Sequence, residues 1–528
     1  ERQNHNMSQK HFFAAAPVIV ASSFLLLLSF CYGQKQSDPS QQTRPREVSG
    51  GGQTVQVGPR ENLQKAIDAA KPGDTLVLTA GASYKGPISL PNKSGASDSF
   101  ITIRTSNLAG ISPENTRTKP DLHAANMPKI LAPNSGSALV TAPGAHHYRF
   151  IGVEFAPAPD ANYVYNVIHL GSDEYTDTSQ LPHHLVFDRC YVHSTGLGKA
   201  RRGFALNCGD TSILNSYIAG FAGPGDETQG IAGWNGSGPF KIVNNHIEGG
   251  GQNVFFGGGD PRIPNLVPSD IEIKRNELTK PSAWRGKVTI KAIFEMKNVR
   301  RLVIDGNLLV DDHTTTAFAL TVRNQSGTAP WSTVEDVEIT NNVIKHANGA
   351  VNILGVDDLR PSQQGRRMRV ANNLFIDTGV DNTAFVQTSR GESITIEHNT
   401  VQHTGNVITS HGGPTTKFIF RNNILQNNAY GVFCEGGSLD TCLPGALFSR
   451  NVIVDNYDSA GKGYPLERSY PAGNFFPRSF KEVGFVDLDQ NDFRLGPTSR
   501  FRNRATDGKD IGVNFDELKA SGAMNAGD

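Results

Sequence analysis

The chain carries no net charge. Its 50 basic residues are cancelled by 50 acidic ones, so no global field draws it to nucleic acid or to an anionic membrane surface, and only a local cationic groove stays open. Cysteine and methionine are scarce, at 5 each. One cysteine, Cys31, falls in the leader described below, and the other four, Cys190, Cys208, Cys434 and Cys442, fit no zinc-binding spacing. In an exported protein the even count permits disulfides, and Cys434 with Cys442 would close the short loop CEGGSLDTC. Cys190 reads equally well as a small buried apolar residue. Glycine, by contrast, is abundant at 55, as expected of a chain with many turns around β-rich segments.

The strongest positive signal is a repeat. FKIVNNHI (240–247), IEIKRNEL (271–278), LVIDGNLL (302–309), VEITNNVI (337–344), MRVANNLF (368–375), ITIEHNTV (394–401), FIFRNNIL (418–425) and ALFSRNVI (446–453) share one layout. Each places apolar residues two apart, an asparagine three further on, and another apolar residue two beyond. The asparagines, Asn245, Asn276, Asn307, Asn342, Asn373, Asn399, Asn423 and Asn451, recur every 24 to 35 residues or so, the spacing of a solenoid with one supersecondary unit per repeat. Alternation of apolar and polar residues makes that unit a strand. The asparagine is expected at the bend between strands, where its amide bonds nearby backbone and tolerates unusual turn conformations. Stacked once per coil, the amides form a ladder. Earlier coils at 99–105, 148–155, 185–192 and 211–218 keep the spacing with Val153, Cys190 and Ser216 in the asparagine position.

This pattern resembles the asparagine ladder of right-handed parallel β-helices, the pectate-lyase-like fold. The resemblance implies an all-β solenoid of about twelve coils, roughly 50–60 Å long. The expected domain boundaries are an export signal over 1–33, with Met7 as the start and 1–6 upstream of it, a flexible linker over 34–53, the β-helix over 54–463 and a C-terminal capping segment over 464–528. Within ENLQKAIDAA (61–70), Leu63, Ala66, Ile67 and Ala70 mark one face of a short N-terminal capping helix. The expectation is a secreted or periplasmic monomer with no stable membrane span once the signal is cleaved, and with no nucleic-acid partner.

Candidate chemistry concentrates at KVTIKAIFEMKN (287–298). As a strand it turns Val288, Ile290, Ala292, Phe294 and Met296 inward, and Lys287, Lys291, Glu295 and Lys297 outward. The next coil offers Arg323 in FALTVRNQ, and the preceding one Asn253 and Asp260 in QNVFFGGGD. Lysines clustered with an arginine suit β-elimination from a uronic-acid polysaccharide, because a lysine crowded by other cations loses its proton more readily and so can act as base. Trp234, Trp284 and Trp331 lie in loop-like settings where an indole could stack on a sugar. EMKNVRRLVIDGN followed by FALTVRNQ is similar to the active-site region of the lyases typified by chondroitinase B and the alginate lyases. That similarity implies Lys297 as base, Gly306-Asn307 as the adjoining turn and Arg323 as acid partner.

Those lyases also bind Ca2+, through an asparagine and two glutamates just before the lysine. Here that stretch carries Lys291 and only Glu295, so the metal ligands on offer are Glu295, Asn253 and Asp260, and Lys291 is a candidate to neutralise the substrate carboxylate directly. Two other classes stay open. One is a glycoside hydrolase, for which Asp226-Glu227, Asp311-Asp312 and Asp357-Asp358 supply carboxylates, and His313 and His411 proton carriers. The other is a non-enzymatic glycan-binding or spacer protein, in which outward charges are only a solvated face.

Overall fold

The computed structural model describes residues 52–93, 98–311, 315–379, 383–456 and 466–524. The export signal, most of the linker, Asp312 and His313 lie outside the described residues. Residues 49–528 form one compact unit. Within three long sheets the strands follow each other around three faces and pair in parallel with the equivalent strand one coil away, and Phe485–Asp487 pairs antiparallel with Asp492–Leu495 in the C-terminal segment. The first sheet runs from Thr54–Val57 to Leu447–Ser449, the second from Ser83–Lys85 to Val452–Val454, and the third from Ile88–Leu90 to Val432–Cys434. This is a parallel β-helix, and its interior is a column of stacked apolar side chains such as Phe150 on Phe187 and Phe294 on Phe318. Among the described residues no helix is long and apolar enough to cross a membrane.

The asparagines line the bend from first to second sheet. From Asn276 onward each Oδ1 accepts both the backbone N–H and the amide Nδ2 of the preceding coil's asparagine, as Asn342 does from Asn307 at 2.9 Å each. Each Nδ2 also reaches back to a carbonyl of the preceding coil, as Asn342 does to Ile304 at 3.0 Å. All eight are fully buried, so the ladder satisfies polar groups that would otherwise be stranded. It continues one rung further than the repeat predicts, because Asn474 accepts from Asn451 at 3.0 and 2.9 Å. Ser216 joins it at the other end, accepting from the Cys190 N–H and donating its own N–H to Asn245. The unusual backbone conformation is not on the ladder residue, as the sequence suggested, but on the residue before it. Asn244, Arg275, Gly306, Asn341, Asn372, His398, Asn422 and Arg450 all have φ between 53° and 65°. The bend needs one left-handed residue, and the buried amide follows it in ordinary geometry.

The two ends are treated differently. At the start, the helix Leu63–Ala69 buries Leu63 and Ile67, and the Gln64 amide exchanges bonds of 2.8 and 2.7 Å with the backbone of Ser89, standing in for a missing strand. At the far end, Leu466 and Tyr470 close the main core. The rest of the C-terminal segment does not stay at that end. Phe501, Ile511, Val513 and Leu518 lie back along the second sheet on its outward row Val343, Leu374, Ile424 and Val452. Gly512 N donates to Asn422 O, Val513 N to Thr400 Oγ1, Asn514 N to Asn372 Oδ1 and Ser521 Oγ to Asn341 O, a path that retraces four coils. An outward row of apolar residues has to be covered by something, and here the chain covers it itself. Cys434 and Cys442 are disulfide-bonded, and Cys190 and Cys208 are free and buried.

Lys280 is among the largest fully buried side chains. Its ammonium donates to Gly249 O at 2.6 Å and Gly250 O at 2.7 Å. Burial pulls its pKa down to about 7, against the opposing pull of Asp311.

Two outcomes are expected. Asn342→Ala leaves the buried Asn307 N–H without an acceptor and takes one acceptor from its side-chain amide, and should cost on the order of 3 kcal/mol. A midpoint in chemical denaturation equal to that of the parent would refute this role. Between about pH 7 and the ordinary lysine value, the unfolded chain binds a proton that folded Lys280 has released, so stability should rise with pH by on the order of 1 kcal/mol per unit. Lys280→Met should flatten that rise. Denaturation series at stepped pH values compare the two slopes, and equal slopes would contradict the buried-lysine account.

Candidate functional site

The third sheet carries the site, and a local irregularity decides which side chains face it. At the start of these strands two successive residues turn inward, as in Val167-Ile168, Ile293-Phe294 and Ala317-Phe318, all fully buried. The residue before each pair therefore points outward, and the next outward place comes three residues later. Register then stacks two outward rows along the rod. One is Asn166, Arg202, Gln229, Gln252, Ala292 and Thr316; the other is His169, Ala205, Ala232, Phe255, Glu295 and Ala319.

The first four residues of the first row are hydrogen-bonded in series. Arg202 donates to Asn166 Oδ1 at 3.3 Å and to Gln229 Oε1 at 2.9 Å. Gln229 donates to Gln252 at 2.8 Å, and Gln252 to Glu295 at 2.6 Å and Glu227 at 3.1 Å. Glu295, only 5% exposed, is where the rows meet. Its Oε1 lies 3.2 Å from the Lys291 ammonium and 3.4 Å from that of Lys297, and Lys291 also pairs with Glu227 at 3.1 Å.

The two lysines around this carboxylate are driven in opposite directions. For Lys297, burial is the largest influence and lowers its pKa; Glu295 opposes that and Lys291 adds to it, with a net fall. For Lys291 burial also lowers the pKa, but Glu295 and Glu227 together outweigh it and hold the group protonated. Burial raises the Glu227 carboxyl, yet the Gln252 hydrogen bond and the Lys291 charge prevail and keep it below its ordinary range. A pair of like groups pushed apart around one partner is the arrangement that separates a base from a cation.

These groups line a cleft of about 650 Å³, together with Tyr165, His169, Arg202, Trp234, Phe255 and Gln325. Three consecutive glycines make room for it. A β-carbon on Gly257 would come within 2.6 Å of the Lys297 β-carbon, one on Gly258 within 2.5 Å of the Phe255 ring, and one on Gly259 within 3.0 Å of Trp234. Lys297 lies 5.2 Å from the centre of the Phe255 ring, and the Arg202 guanidinium 5.0 Å from that of Trp234. Burial, with Arg201 beside it, lowers the Arg202 pKa to about 10, still charged at neutral pH.

Sequence reasoning placed Lys291, Glu295 and Lys297 on one outer patch, and the structure brings these three together. The strand itself begins only at Ala292; Lys287 is exposed in the preceding loop and Val288 and Ile290 are half-buried there. Asn253 faces the interior, because the doubled inward step puts Gln252 outside instead; its amide donates to Ile247 O and Thr279 O at 2.8 Å. Asp260 Oδ2 accepts from the Ser326 and Thr328 amides and shapes that loop. Arg323 is tied to Lys297 through the backbone, its N–H donating to Lys297 O at 3.0 Å, but its guanidinium turns to Asp357 at 3.2 Å and to Asp358, outside the cleft.

Of the tryptophans, only Trp234 lines the cleft. Trp284 is buried in a loop turn, and Trp331 donates to Leu266 O at 3.0 Å. The paired acids Asp357-Asp358 serve Arg323, and Asp311 accepts from the Thr315 backbone, which leaves Glu227 as the paired acid in the cleft. Glu227 is one of the carboxylates the sequence offers to a hydrolase, whereas Arg202, Gln229 and Gln252 carry no such expectation. The available signal was that Gln229 and Gln252 precede an inward residue at the same point of successive coils.

Calcium does not fit the donor set. Glu295 is already flanked by two ammonium groups, Asn253 points inward and Asp260 is engaged with its loop, so the three do not form an oxygen shell. Lys280, the lysine with the largest fall in pKa, is sealed from solvent and is no candidate base. A second depression, of about 450 Å³, lies beside Tyr191, His193 and Tyr217 on the second sheet. Glu248, which lines it, pairs with His246 at 3.2 Å, and of the carboxylates beside it Glu154 is engaged by Lys129 and His193 and Glu277 by Arg117 and His246.

No protein-family model and no curated protein matches the chain. Among solved structures, it is similar to an alginate lyase from Paenibacillus sp. str. FPU-7, with 15% identity, 80% of this chain and 98% of that one covered, and a TM-score of 0.31. It is similar to pectate lyase Pel9A, with 15% identity, 88% and 96% covered, and a TM-score of 0.33. A mannuronic acid specific polysaccharide family 6 lyase from human gut microbiota gives 12% identity, 90% and 100% covered, and a TM-score of 0.40. At these values no residue role passes from those proteins to this one.

Proposed function

We propose that the protein is a polysaccharide lyase that cleaves a uronic-acid-containing chain by β-elimination in the third-sheet cleft. The observation that carries this reading is the split between Lys297 and Lys291 around the buried Glu295 carboxylate. Lys297, with its pKa lowered, is the base. Its neutral Nζ removes the proton from the carbon next to the sugar carboxylate. The electron pair left behind forms a carbon–carbon double bond as the bond from the neighbouring carbon to the glycosidic oxygen breaks. The proton on Lys297 then returns to that departing oxygen, which restores the neutral base and balances the step.

Lys291 stays charged, and its ammonium faces the negative charge that grows on the sugar carboxylate as the proton leaves. Arg202, three coils back along the same face, is placed for the carboxylate of another sugar in the chain. Trp234 and Tyr165 offer rings on which sugar faces can rest. Glu295 and Gln252 are positioning residues, which hold the two lysines apart in charge. Arg323 has no part in the chemistry, since both its acidic partners keep it outside the cleft.

A hydrolase would need one carboxyl held protonated as general acid. Glu227, below its ordinary range and paired with Lys291, is opposite in character. A panel of alginate, pectate, chondroitin and hyaluronan separates the readings. The lyase gives ultraviolet absorbance from the new double bond on at least one of them, whereas reducing ends without absorbance would mean hydrolysis, and neither product would mean a binding protein.

Lys297→Ala should lower kcat/KM by about 10³-fold with the fold intact, and Lys297→Arg should fail equally, because a guanidinium cannot give up its proton. Near-parental activity in either variant would remove Lys297 from the base role. Activity should rise with pH as Lys297 deprotonates, at a pH below that of an ordinary lysine. Glu295→Gln removes the carboxylate that opposes this fall, so the rise should move to lower pH; a shift upward would contradict the assignment.

A further inference from the structure

A second cluster of reactive side chains stands apart from the cleft. The sequences AHHYRF (145–150) and PHHLVF (182–187) place a histidine pair at the start of two consecutive first-sheet strands, with His183 in register with His146. In each pair the second residue is left-handed, with φ of 58° at His147 and 53° at His184. This conformation is uncommon for a residue with a side chain. Here it swings adjacent imidazoles together, and the Nδ1 atoms approach to 2.8 Å in the His146-His147 pair and 2.6 Å in the His183-His184 pair.

Along the rod the rings stack, His146 on His183 at 5.2 Å and His147 on His184 at 4.4 Å. The result is a two-by-two block of imidazoles. One ligand nitrogen from each of His147, His183 and His184 lies within 4.8 Å of the others. On the next coil Asp210 lies 3.5 Å from His184 Nε2, where a carboxylate behind an imidazole fixes the ring and raises its basicity. Phe100 packs against His147 on the opposite side. His184 is exposed and the other two are half-buried, so solvent reaches the nitrogens.

We propose that His147, His183 and His184, with His146 beside them as an available fourth donor, bind one late first-row transition-metal dication of the Zn2+ type. An all-imidazole set suits these ions, whereas Ca2+ and Mg2+ require oxygen. Metal–nitrogen bonds of about 2.0–2.1 Å put tetrahedral nitrogens roughly 3.3–3.4 Å apart, so the His183-His184 pair has to open slightly from 2.6 Å while the wider separations, within 4.8 Å, close in. Position gives the ion a purpose. These two coils carry Val153 and Cys190 in the ladder column, and the first asparagine of the ladder is Asn245. A metal held between His147 and the His183-His184 pair would cross-link neighbouring coils where no amide ladder does.

The full chain, stripped with a chelator and exchanged into buffer, is titrated with ZnCl2 by calorimetry. One ion per chain should bind, the melting temperature should rise with ZnCl2, and MgCl2 and CaCl2 should leave it unchanged. Asparagine keeps the left-handed backbone available, so His147→Asn with His184→Asn should fold, weaken zinc binding by more than about tenfold and abolish the zinc-dependent rise in melting temperature. His184→Asn alone should weaken binding in the same direction if the double variant fails to fold. No stoichiometric heat with ZnCl2, or binding of parental affinity in the variants, would overturn the assignment. A stacked histidine column without an ion gives the first of these results, and an ion bound elsewhere gives the second.

Discussion

The structure depends on a buried amide repeated once per coil. A side-chain amide with both donors and its acceptor satisfied by the coils on either side permits one alignment only, since a slip of one residue would strand every one of those bonds. The ladder therefore holds register over a long stack whose sheets would otherwise be joined by backbone bonds indifferent to sequence. Register in turn makes rows. Residues more than twenty apart in sequence become neighbours at strand spacing, and the chain from Asn166 to Glu295 is built entirely from such neighbours.

The row ends on a carboxylate that water barely reaches, and that burial sets the chemistry of its surroundings. An ionised glutamate in such a place must be matched by charge. Two lysines match Glu295, but only Lys291 has a second acid, Glu227, to share. The asymmetry of one extra carboxylate is enough to leave Lys291 charged and to let burial prevail at Lys297. Gln252 spans both acids with one amide nitrogen and so keeps that asymmetry fixed.

Much of the fold was legible because its period is carried by residue types with few other reasons to recur. Apolar residues two apart and an asparagine three later mark a bend wherever they stand. Asn474 escaped notice since no strand of the repeating kind follows it, and the left-handed place before each asparagine is filled by arginine, histidine, glycine and asparagine alike, so it leaves no single-residue signal. The site was legible only in part. Strict alternation gives the correct outward face for Lys291, Glu295 and Lys297, all on one side of the doubled inward step or beyond it. It gives the wrong face for Asn253, which sits within that step. Arg323 was read from its place in the chain, but a guanidinium goes to the nearest acids, and Asp357 and Asp358 arrive from a loop that no periodicity describes.

The three faces of the rod have also been put to different uses, and the difference explains why the cleft lies where it does. On the first sheet, neighbouring coils carry opposite charges, Glu335 in register between Arg300 and Arg366, and Glu397 paired in register with Arg421 and diagonally with Arg369. Such a lattice is flat and satisfied by its own members. Along the second sheet the outward row is apolar, and the C-terminal segment lies on it. Among the described residues the third sheet combines small residues, Ala205 and Ala232, with long polar ones in the row beside them, which gives it depth with charged groups at its rim. A linear, anionic polymer laid along that face would meet Arg202 and, three coils on, Lys291 with Lys297, at an interval set by coil spacing and not by any single loop. Changing the substrate would then require changing a row of residues, while the ladder behind it could stay as it is.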